Sequence, residues 1–352
     1  IKPFVIASGS LTHTNHVIIR MTDDDGRVGW GETTTFHSVY GYDQKALYHT
    51  LKDYLIPAVM GGDPGDLAVI HDRMDQAIPN NLMAKAGIDF AAHDLIAQAA
   101  DRPIHSMIGG KGVGRVPLVG VVDIVPPKEA FDTAGGLVNE GYKTIKIKIG
   151  TDPHQDIERV RSVRESVGES VKLRVDGNCG YSRGEAVCVF SKMEKYNLEW
   201  IEQPLPGWDL EGMPMLAKRL VTPVAVDESV YTSQDVLRCI SLGAADVVNI
   251  KIVKCGGIYR SQRIAALCSA AGIPCFLGGC IESTPGTAVA AHFYAATPNV
   301  ISAAEIYGSC FYEDDIVKTT FEIADGHLAV PSTPGLGVLI DEDKLSRYEV
   351  DY

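Results

Sequence analysis

The sequence predicts an α/β protein in which a (β/α) barrel follows a smaller α+β unit. The chain has 352 residues, which is more than one ordinary compact core holds and enough for a barrel with a second domain. Its first hundred residues show a strand pattern followed by a helical pattern. After Gly109 and Gly110, short β-rich runs alternate with amphipathic helical stretches, as they do in a barrel.

The N-terminal unit begins with a hairpin pattern. Residues 16–21 (HVIIRM) are β-rich, residues 23–26 (DDDG) supply a turn, and residues 28–31 (VGWG) continue as a second strand. From 43 to 99 the apolar spacing is helical, most clearly at 82–99. Strands followed by helices indicate an α+β unit rather than part of a barrel.

The barrel prediction rests on eight β-rich runs separated by helical stretches such as 156–167 and 233–242. An open doubly wound sheet is the alternative, but no G-x-G-x-x-G motif follows the first run. The expected strands are 116–122, 144–149, 172–175, 198–201, 224–226, 246–250, 274–277 and 300–304.

Three segments follow from these patterns. We expect a capping domain at 1–112, the barrel at 113–320 and a C-terminal segment at 321–352. The last segment returns to short strands and turns, and we expect it to pack back on the N-terminal unit.

Composition excludes several classes of partner. The formal charge of −13 argues against nucleic acid and against an anionic membrane surface. It leaves room for a small anionic substrate, because a bound cation reverses the field within one pocket. The eight cysteines all lie in the second half, without a C-x-x-C pair, and the chain shows no signal pattern or apolar run of 18 residues. We therefore expect a reduced, cytoplasmic protein.

Charged residues stand at the C-terminal ends of the predicted strands, where barrel active sites are built. They recur about every 25 residues, roughly one βα unit. Each one alone is ordinary at a strand exit, but a set at one level of the barrel converges on one cavity. The residues are Lys146 and Lys148 on strand two, Asp176 followed by Asn178 on strand three, Glu202 on strand four, Asp227 on strand five, Lys251 on strand six, Glu282 on strand seven and Glu305 on strand eight.

Three of these residues are carboxylates from adjacent strands. Buried together, Asp176, Glu202 and Asp227 repel one another by several kcal/mol unless a cation lies between them. Oxygen ligands suit Mg²⁺ better than Zn²⁺, which prefers histidine and cysteine, and Mn²⁺ is a possible substitute. The sequence therefore predicts that these three residues bind a divalent metal.

The lysines then have a chemical role. Lys148 and Lys251 would face each other from strands two and six, and a lysine near a divalent cation has its pKa lowered towards that of a useful general base. The metal would neutralise the ene-diolate that forms when a carboxylate substrate loses its α-proton. Lys146 is placed to hold the substrate carboxylate.

These motifs resemble the enolase superfamily and, within it, the muconate lactonizing enzyme subgroup, over essentially the whole chain. The matching motifs are GWGE at 29–32, KIK at 146–148, VDGN at 175–178, IEQP at 201–204, VDES at 226–229, NIKIVKCGGI at 249–258, GGCIES at 278–283 and PGLGVLIDEDK at 334–344.

The resemblance implies a modified barrel of the (β/α)7β type with an α+β cap. It also implies Mg²⁺ on Asp176, Glu202 and Asp227, and a paired acid and base at Lys148 and Lys251. Cap loops, here 12–16 and 33–42, would set specificity, and the chain would form a homo-oligomer, a dimer or an octamer. The substrate would be a small carboxylate.

The resemblance leaves two reactions open. The end of strand eight, with Glu305, Tyr307 and Gly308, is similar to muconate cycloisomerases, as are residues 34–41 and the PGLG…DEDK tail. In that reaction Lys148 handles the proton at the enolate carbon and Lys251 acts mainly through its charge. We expect a cycloisomerase-like, lactonizing activity on this basis.

A racemase or epimerase of dipeptides or N-acyl amino acids is the alternative. The opening stretch and residues 278–283 are similar to dipeptide epimerases, in which both lysines exchange protons with one carbon. Those enzymes carry Asp-x-Asp at the end of strand eight, whereas this chain has Glu305 and Tyr307, so ordinary dipeptide recognition is in doubt.

The remaining candidates have less specific roles. Glu282, Glu305 and Tyr307 are candidate substrate-binding residues, although the two glutamates are equally suited to partner the lysines. Asn178 is expected to orient Asp176 or a metal water, and Cys280 to line the barrel as a small side chain rather than act as a nucleophile. A non-catalytic metabolite-binding barrel is disfavoured, because it predicts loss of a lysine or a metal carboxylate, and all five are present.

Overall fold

The computed structural model describes residues 4–7, 9–35, 37–306, 308–350 and 352. A cap of two antiparallel hairpins and six helices precedes a curved parallel sheet of seven strands. The cap strands are β1 (Phe4–Ile6), β2 (Gly9–Leu11), β3 (His16–Thr22) and β4 (Val28–Thr34). The cap helices are α1 (His37–Tyr40), α2 (Gln44–Thr50), α3 (Ile56–Val59), α4 (Leu67–Ala77), α5 (Leu82–Ala99) and α6 (Ile104–Ile108), with a π-helical turn at Leu51–Leu55.

The barrel strands run in sequence order across one parallel sheet, which is the pattern that alternating strands and helices predict. After β5 (Arg115–Pro117), these strands are β6 (Gly120–Val122), β7 (Thr144–Lys148), β8 (Lys172–Asp176), β9 (Leu198–Glu202), β10 (Val224–Val226), β11 (Val247–Ile250) and β12 (Cys275–Leu277). The barrel helices are α7 (Pro127–Asn139), α8 (Pro153–Val167), α9 (Arg183–Met193), α10 (Met213–Arg219), α11 (Ser233–Leu242), α12 (Ile258–Ala270) and α13 (Thr284–Ala296), with 3₁₀ turns at Glu194–Tyr196, Leu210–Gly212 and Gly308–Phe311.

The predicted first and eighth strands differ from the structure. The run at 116–122 divides into β5, which pairs with the tail, and β6, which pairs with β7. Pro117 ends β5, and proline has no N–H to donate to a ladder. The run at 300–304 makes parallel bridges from Val300 to Cys275 and from Ala304 to Leu118, so it closes the barrel without a regular strand.

The C-terminal segment contacts both earlier parts of the chain. It contains β13 (Ile323–Ala324), β14 (His327–Ala329) and α14 (Glu342–Tyr348). β14 pairs antiparallel with β5, and the Leu336 N–H donates to the Asp94 side chain on α5. The three segment boundaries stay a prediction. In the part of the chain that the structure describes, no helix is long and apolar enough to cross a membrane.

Glycines allow the cap strand β4 to lie directly on α5, which is buried along most of its length. A Cβ on Gly31 would lie 1.9 Å from the Gly87 carbonyl oxygen, and a Cβ on Gly29 would lie 2.3 Å from that of Ala91. Real Cβ atoms do not approach backbone so closely, so this contact requires glycine at both positions of the GWG sequence. It fixes the position of Glu32, the next residue on β4.

We predict that Gly31→Ala destabilises the protein by at least about 1–3 kcal/mol, because the new methyl group overlaps backbone that cannot move aside. Gly184→Ala on α9 is the matched control, since its Cβ meets no described atom within 4 Å. The control should be neutral or stabilise by about 0.4–1 kcal/mol. Chemical denaturation of both variants measures this, and equal stabilities would contradict the packing argument.

Candidate active site

The sheet register brings the predicted carboxylates to one edge. Lys148 on β7 pairs with Asp176 on β8, and Asp176 pairs with Glu202 on β9. Glu202 also pairs with Ala225 on β10, so Asp227 follows two residues later on the same face. Asp176, Glu202 and Asp227 are all fully buried. The structure thus brings together the three residues that the sequence predicts as metal ligands.

Lys146 lies among carboxylates from β8, β9 and the segment after the run at 300–304. Its Nζ is 2.7 Å from Asp176 Oδ2, 2.8 Å from Glu202 Oε2 and 2.7 Å from Glu305 Oε2. The sequence predicted that this lysine holds a substrate carboxylate, whereas the structure shows it holding carboxylates of the chain itself. It therefore joins the end of the predicted eighth strand to the predicted metal ligands.

The two candidate acid/base lysines are each held by a carboxylate and a neutral partner. Lys148 Nζ is 2.7 Å from Asp176 Oδ2 and donates to Asn178 Oδ1 at 3.0 Å. Lys251 Nζ is 2.6 Å from Asp227 Oδ2 and donates to the Tyr40 hydroxyl at 2.7 Å. The two lysines thus have similar contacts, and both line one cavity.

Four further residues shape this site and were missed by sequence reasoning. Lys254 Nζ is 2.8 Å from Asp227 Oδ1, Asn249 Nδ2 donates to Glu202 Oε1 at 2.7 Å, and Glu228 Oε1 accepts from Asn178. These three stand inside the quoted motifs NIKIVKCGGI and VDES, so the signal was present. The fourth is Tyr40, which stands within the predicted cap loop 33–42 but had no feature that linked it to Lys251.

The pKa shifts show that the lysines compensate the carboxylates unevenly. Burial opposes ionisation of Asp176 and Asp227, but the adjacent lysines outweigh it and lower the pKa of both. Burial and the charge of Asp176 raise the pKa of Glu202 well above its usual range. Burial and the charges of Asp227 and Asp176 raise the pKa of the half-buried Glu228 to about 7. Burial and the neighbouring charges thus favour the protonated forms of Glu202 and Glu228, whereas the lysines favour the ionised forms of Asp176 and Asp227.

The pKa of Lys251 shifts in the direction opposite to that expected from the sequence. Burial lowers it, but Asp227 outweighs burial and raises it well above the usual range. The predicted lowering assumed that a cation, rather than the lysine, holds the negative charge of Asp227. The sign of the shift therefore depends on which positive group Asp227 contacts.

The donor chemistry of the site fits a divalent cation. Glu228 Oε2 is a buried oxygen without a hydrogen-bond partner among the residues that the structure describes. The buried oxygens Glu202 Oε2 and Asp227 Oδ2 lie 2.8 Å and 2.6 Å from the ammonium groups of Lys146 and Lys251, where a cation would compete with these lysines. Hard cations such as Mg²⁺ take carboxylate oxygens of this kind. Within the described ranges, however, no group of three or more His, Cys, Asp or Glu side chains is spaced to hold a metal ion, and ammonium groups lie among the carboxylates.

The cavity between the lysines is small. Its volume is about 30 Å³, close to that of one water molecule. The cap contributes apolar walls at Ile6 and Val39, and the barrel contributes Ile281. A substrate of several heavy atoms therefore requires these walls to move. Residues 13–16, within the predicted cap loop 12–16, line a larger cavity of about 410 Å³ beside Tyr312.

The remaining predicted residues have distinct positions. Glu305 lines the catalytic cavity. Glu282 Oε2 accepts from the Cys280 N–H, and burial raises the Glu282 pKa to about 7. Burial also raises the pKa of the Cys280 thiol, which opposes a nucleophilic role. Tyr307 lies outside the described residues.

Comparisons with known proteins agree with this architecture. Residues 1–109 match the model of the mandelate racemase/muconate lactonizing enzyme N-terminal domain, and residues 129–344 match the enolase C-terminal domain-like model. An N-succinyl-L-Arg/Lys racemase of Bacillus cereus is 33% identical over 99% of this chain and 94% of that protein. Its crystal structure superposes with a TM-score of 0.96 over 99% of this chain and 94% of that chain, at 32% identity.

Two further relatives catalyse different reactions. A dipeptide epimerase of Enterococcus faecalis, solved with Mg and the dipeptide L-Leu-L-Tyr, has a TM-score of 0.92 and 32% identity over 96% of this chain and 95% of that chain. Muconate cycloisomerase 1 of Rhodococcus opacus is 29% identical over 99% of this chain and 94% of that protein. The chain therefore belongs to the mandelate racemase/muconate lactonizing enzyme family of the enolase superfamily, and it is an isomerase.

Proposed function

We propose that this isomerase is a Mg²⁺-dependent racemase or epimerase of N-acylated amino acids, with Mn²⁺ as a possible substitute for Mg²⁺. The observation that supports it best is that Lys148 and Lys251 line one cavity, each held by a carboxylate and a neutral partner. Two lysine amino groups with similar surroundings are suited to remove a proton from one face of a carbon and to return a proton to the other face.

The environment of Glu305 favours an acylated amine over a free one. A free α-ammonium group needs a carboxylate as its counter-ion, but Glu305 Oε2 already lies 2.7 Å from Lys146 Nζ. Glu305 Oε1 is buried without a hydrogen-bond partner among the described residues, so it is suited to accept from an amide N–H. The N-succinyl-L-Arg/Lys racemase of Bacillus cereus supports the same substrate class.

A cycloisomerase-like activity is the second candidate. The sequence after strand eight favours it, and the Rhodococcus opacus relative extends over 99% of this chain. The carboxylate edge and the lysines serve both reactions, because each begins or ends with a proton at a carbon beside a carboxylate. A comparison of amino-acid substrates with cis,cis-muconate separates the racemase or epimerase from the cycloisomerase.

The chain's own residues account for the proton transfers. Lys148 and Lys251 hold or deliver a proton on opposite faces of the substrate α-carbon, and Asn178 and Tyr40 orient them. A divalent cation held by Asp176, Glu202 and Asp227 would supply positive charge beside the substrate carboxylate. The lysines and carboxylates of this site are buried, which strengthens the charge interactions among them. Assembly as a dimer or an octamer stays a prediction.

We predict that Lys148→Ala and Lys251→Ala each lower racemisation by about 10²–10⁴-fold, because each removes the group on one face. Each variant should still exchange the α-proton of one enantiomer with D₂O, and the two variants should retain opposite enantiomers. Mass spectrometry of L and D substrates incubated separately measures this. Full racemisation by either variant would contradict the two-lysine assignment.

We predict that the protein racemises N-succinyl amino acids faster than it epimerises L-Ala-L-Glu, because Glu305 is already paired with Lys146. Deuterium uptake at the α-carbon in D₂O with Mg²⁺ measures both, and ultraviolet absorbance follows cis,cis-muconate in a parallel reaction. A preference for the free dipeptide would contradict the acyl-substrate proposal. Conversion of muconate to lactone, without deuterium entering either amino-acid substrate, would establish the cycloisomerase.

We predict that Glu202→Gln weakens Mn²⁺ binding at least about tenfold, since it removes a charged oxygen from the carboxylate edge. Glu199→Gln on the same strand is the matched control, because Glu199 contacts Lys172 and Arg174 instead. Calorimetric titration compares the two variants, and EDTA should abolish activity until Mg²⁺ is restored. Equal affinities in both variants would place the metal elsewhere.

A further inference from the structure

The barrel helix α13 receives its N-terminal cap from other parts of the chain. Ser283 precedes this helix but makes no capping hydrogen bond from its own side chain within the described part of the chain. The Thr284 N–H donates to Asp315 Oδ2 at 3.0 Å, Pro285 has no N–H, and the Gly286 N–H donates to Glu32 Oε2 at 2.8 Å. The first turn is thus satisfied by carboxylates from outside the barrel helix.

Glu32 reaches this helix from the cap strand β4. Its Oε1 accepts from the Ser283 N–H at 2.7 Å, and its Oε2 accepts from Ser283 Oγ at 2.8 Å. The His16 ring nitrogen Nδ1 lies 2.7 Å from Oε1. Burial opposes ionisation of Glu32, but His16 and Ser283 outweigh it and lower the pKa, so the buried side chain is a charged acceptor.

The turn that precedes α13 is strained. Ile281 has a φ of +57°, in the left-handed region that a β-branched residue rarely adopts. Such strain persists only where surrounding contacts determine the backbone. Tyr312 donates its hydroxyl to the Ile281 carbonyl at 2.6 Å, Thr34 donates to the Cys280 carbonyl at 3.3 Å, and Glu32 holds the Ser283 N–H. Thr34 and Glu32 both belong to β4.

This turn forms part of the wall of the catalytic cavity. Ile281 lines the cavity and forms a cluster with Ile6, against which Val39 and Tyr40 of the cap pack. The Tyr40 hydroxyl in turn accepts from Lys251. A change in the backbone at 280–283 therefore moves both an apolar wall and the surroundings of one candidate acid/base lysine.

We propose that Glu32 is a positioning residue: from the cap, it holds the strained turn at 280–283 in the conformation that completes the catalytic cavity. The carboxylate does not line that cavity among the described residues, so it acts through Ser283 and Gly286. Docking of the cap and the shape of the cavity are then set by the same buried side chain. The kinetic part of this proposal rests on the proposed function, whereas the structural part does not.

Glu32→Gln tests the proposal because it keeps the size of the side chain but removes one of two acceptor oxygens. Asp94→Asn is the matched control: Asp94 is also a buried cap carboxylate that accepts two backbone N–H groups, from Trp30 and Leu336, away from the turn. We expect Glu32→Gln to lower kcat by about a hundredfold, as misplacement of reacting groups does, with Mn²⁺ affinity unchanged. Asp94→Asn should lower thermal stability while retaining kcat in the folded protein.

Tyr312→Phe is a second and milder variant, since it removes only the hydroxyl group that donates to the Ile281 carbonyl of the turn. It should lower kcat in the same direction as Glu32→Gln without loss of fold. Parental kcat in both folded variants would overturn the proposal. The same would follow if Tyr312→Phe kept parental kcat and Glu32→Gln lost activity only together with its fold.

Amide hydrogen exchange tests the structural part without a substrate. In Glu32→Gln, the amides of Ser283 and Gly286 should exchange at least tenfold faster than in the parent, while Asp94→Asn leaves them protected. Unchanged exchange at both amides would overturn the proposal even if activity fell. If the parent protein acts on no substrate tested, the proposed function fails, and the exchange data alone decide whether Glu32 holds the turn.

Discussion

The site depends on the repulsion among carboxylates that the barrel brings to one edge. Parallel pairing with little stagger places Asp176, Glu202 and Asp227 together and out of water, where like charges cost several kcal/mol. Lysines at 146, 148, 251 and 254 contact these groups. Burial and the neighbouring negative charges still raise the pKa of Glu202. Under the proposed function, a divalent cation would relieve this imbalance and give a substrate carboxylate a place to bind.

The same imbalance governs the chemistry of Lys251. Burial lowers the pKa of Lys251, but the contact with Asp227 outweighs burial and holds this pKa above the usual range, which favours the protonated form of the lysine. A cation held by Asp227 would remove this stabilisation and lower the lysine pKa. Under the proposed function, metal binding and activation of Lys251 as a base would therefore be linked through Asp227. Lys254 contacts the other oxygen of this carboxylate.

The strand-end residues were predictable because alternation of side chains and the β/α repeat both leave a regular signal in sequence. The helix at 82–99 and the hairpin near 16–34 were confirmed for the same reason. Contacts between distant segments leave no such signal. Neither the pairing of Lys146 with Glu305 nor that of Tyr40 with Lys251 has a local pattern, since each depends on how remote elements meet. The chemistry of proline indicates a break at Pro117, but the β-rich residues on either side of it favour the prediction of one continuous strand.

The cap contacts the barrel through buried charges and also contributes apolar walls to the cavity. Glu32 caps α13, and Asp89 on α5 caps α12 by accepting from the Ile258 N–H at 2.6 Å, so two buried cap carboxylates hold successive barrel helices. The apolar walls at Val39 and Ile6 line the cavity of about 30 Å³ between the lysines. Under the proposed function, the apolar walls are the part of the cap that would select the substrate, whereas the buried carboxylates join the cap to the barrel. Relatives named for dipeptides, N-succinyl-L-Arg/Lys and muconate belong to the same family, so the shared barrel does not by itself decide the substrate.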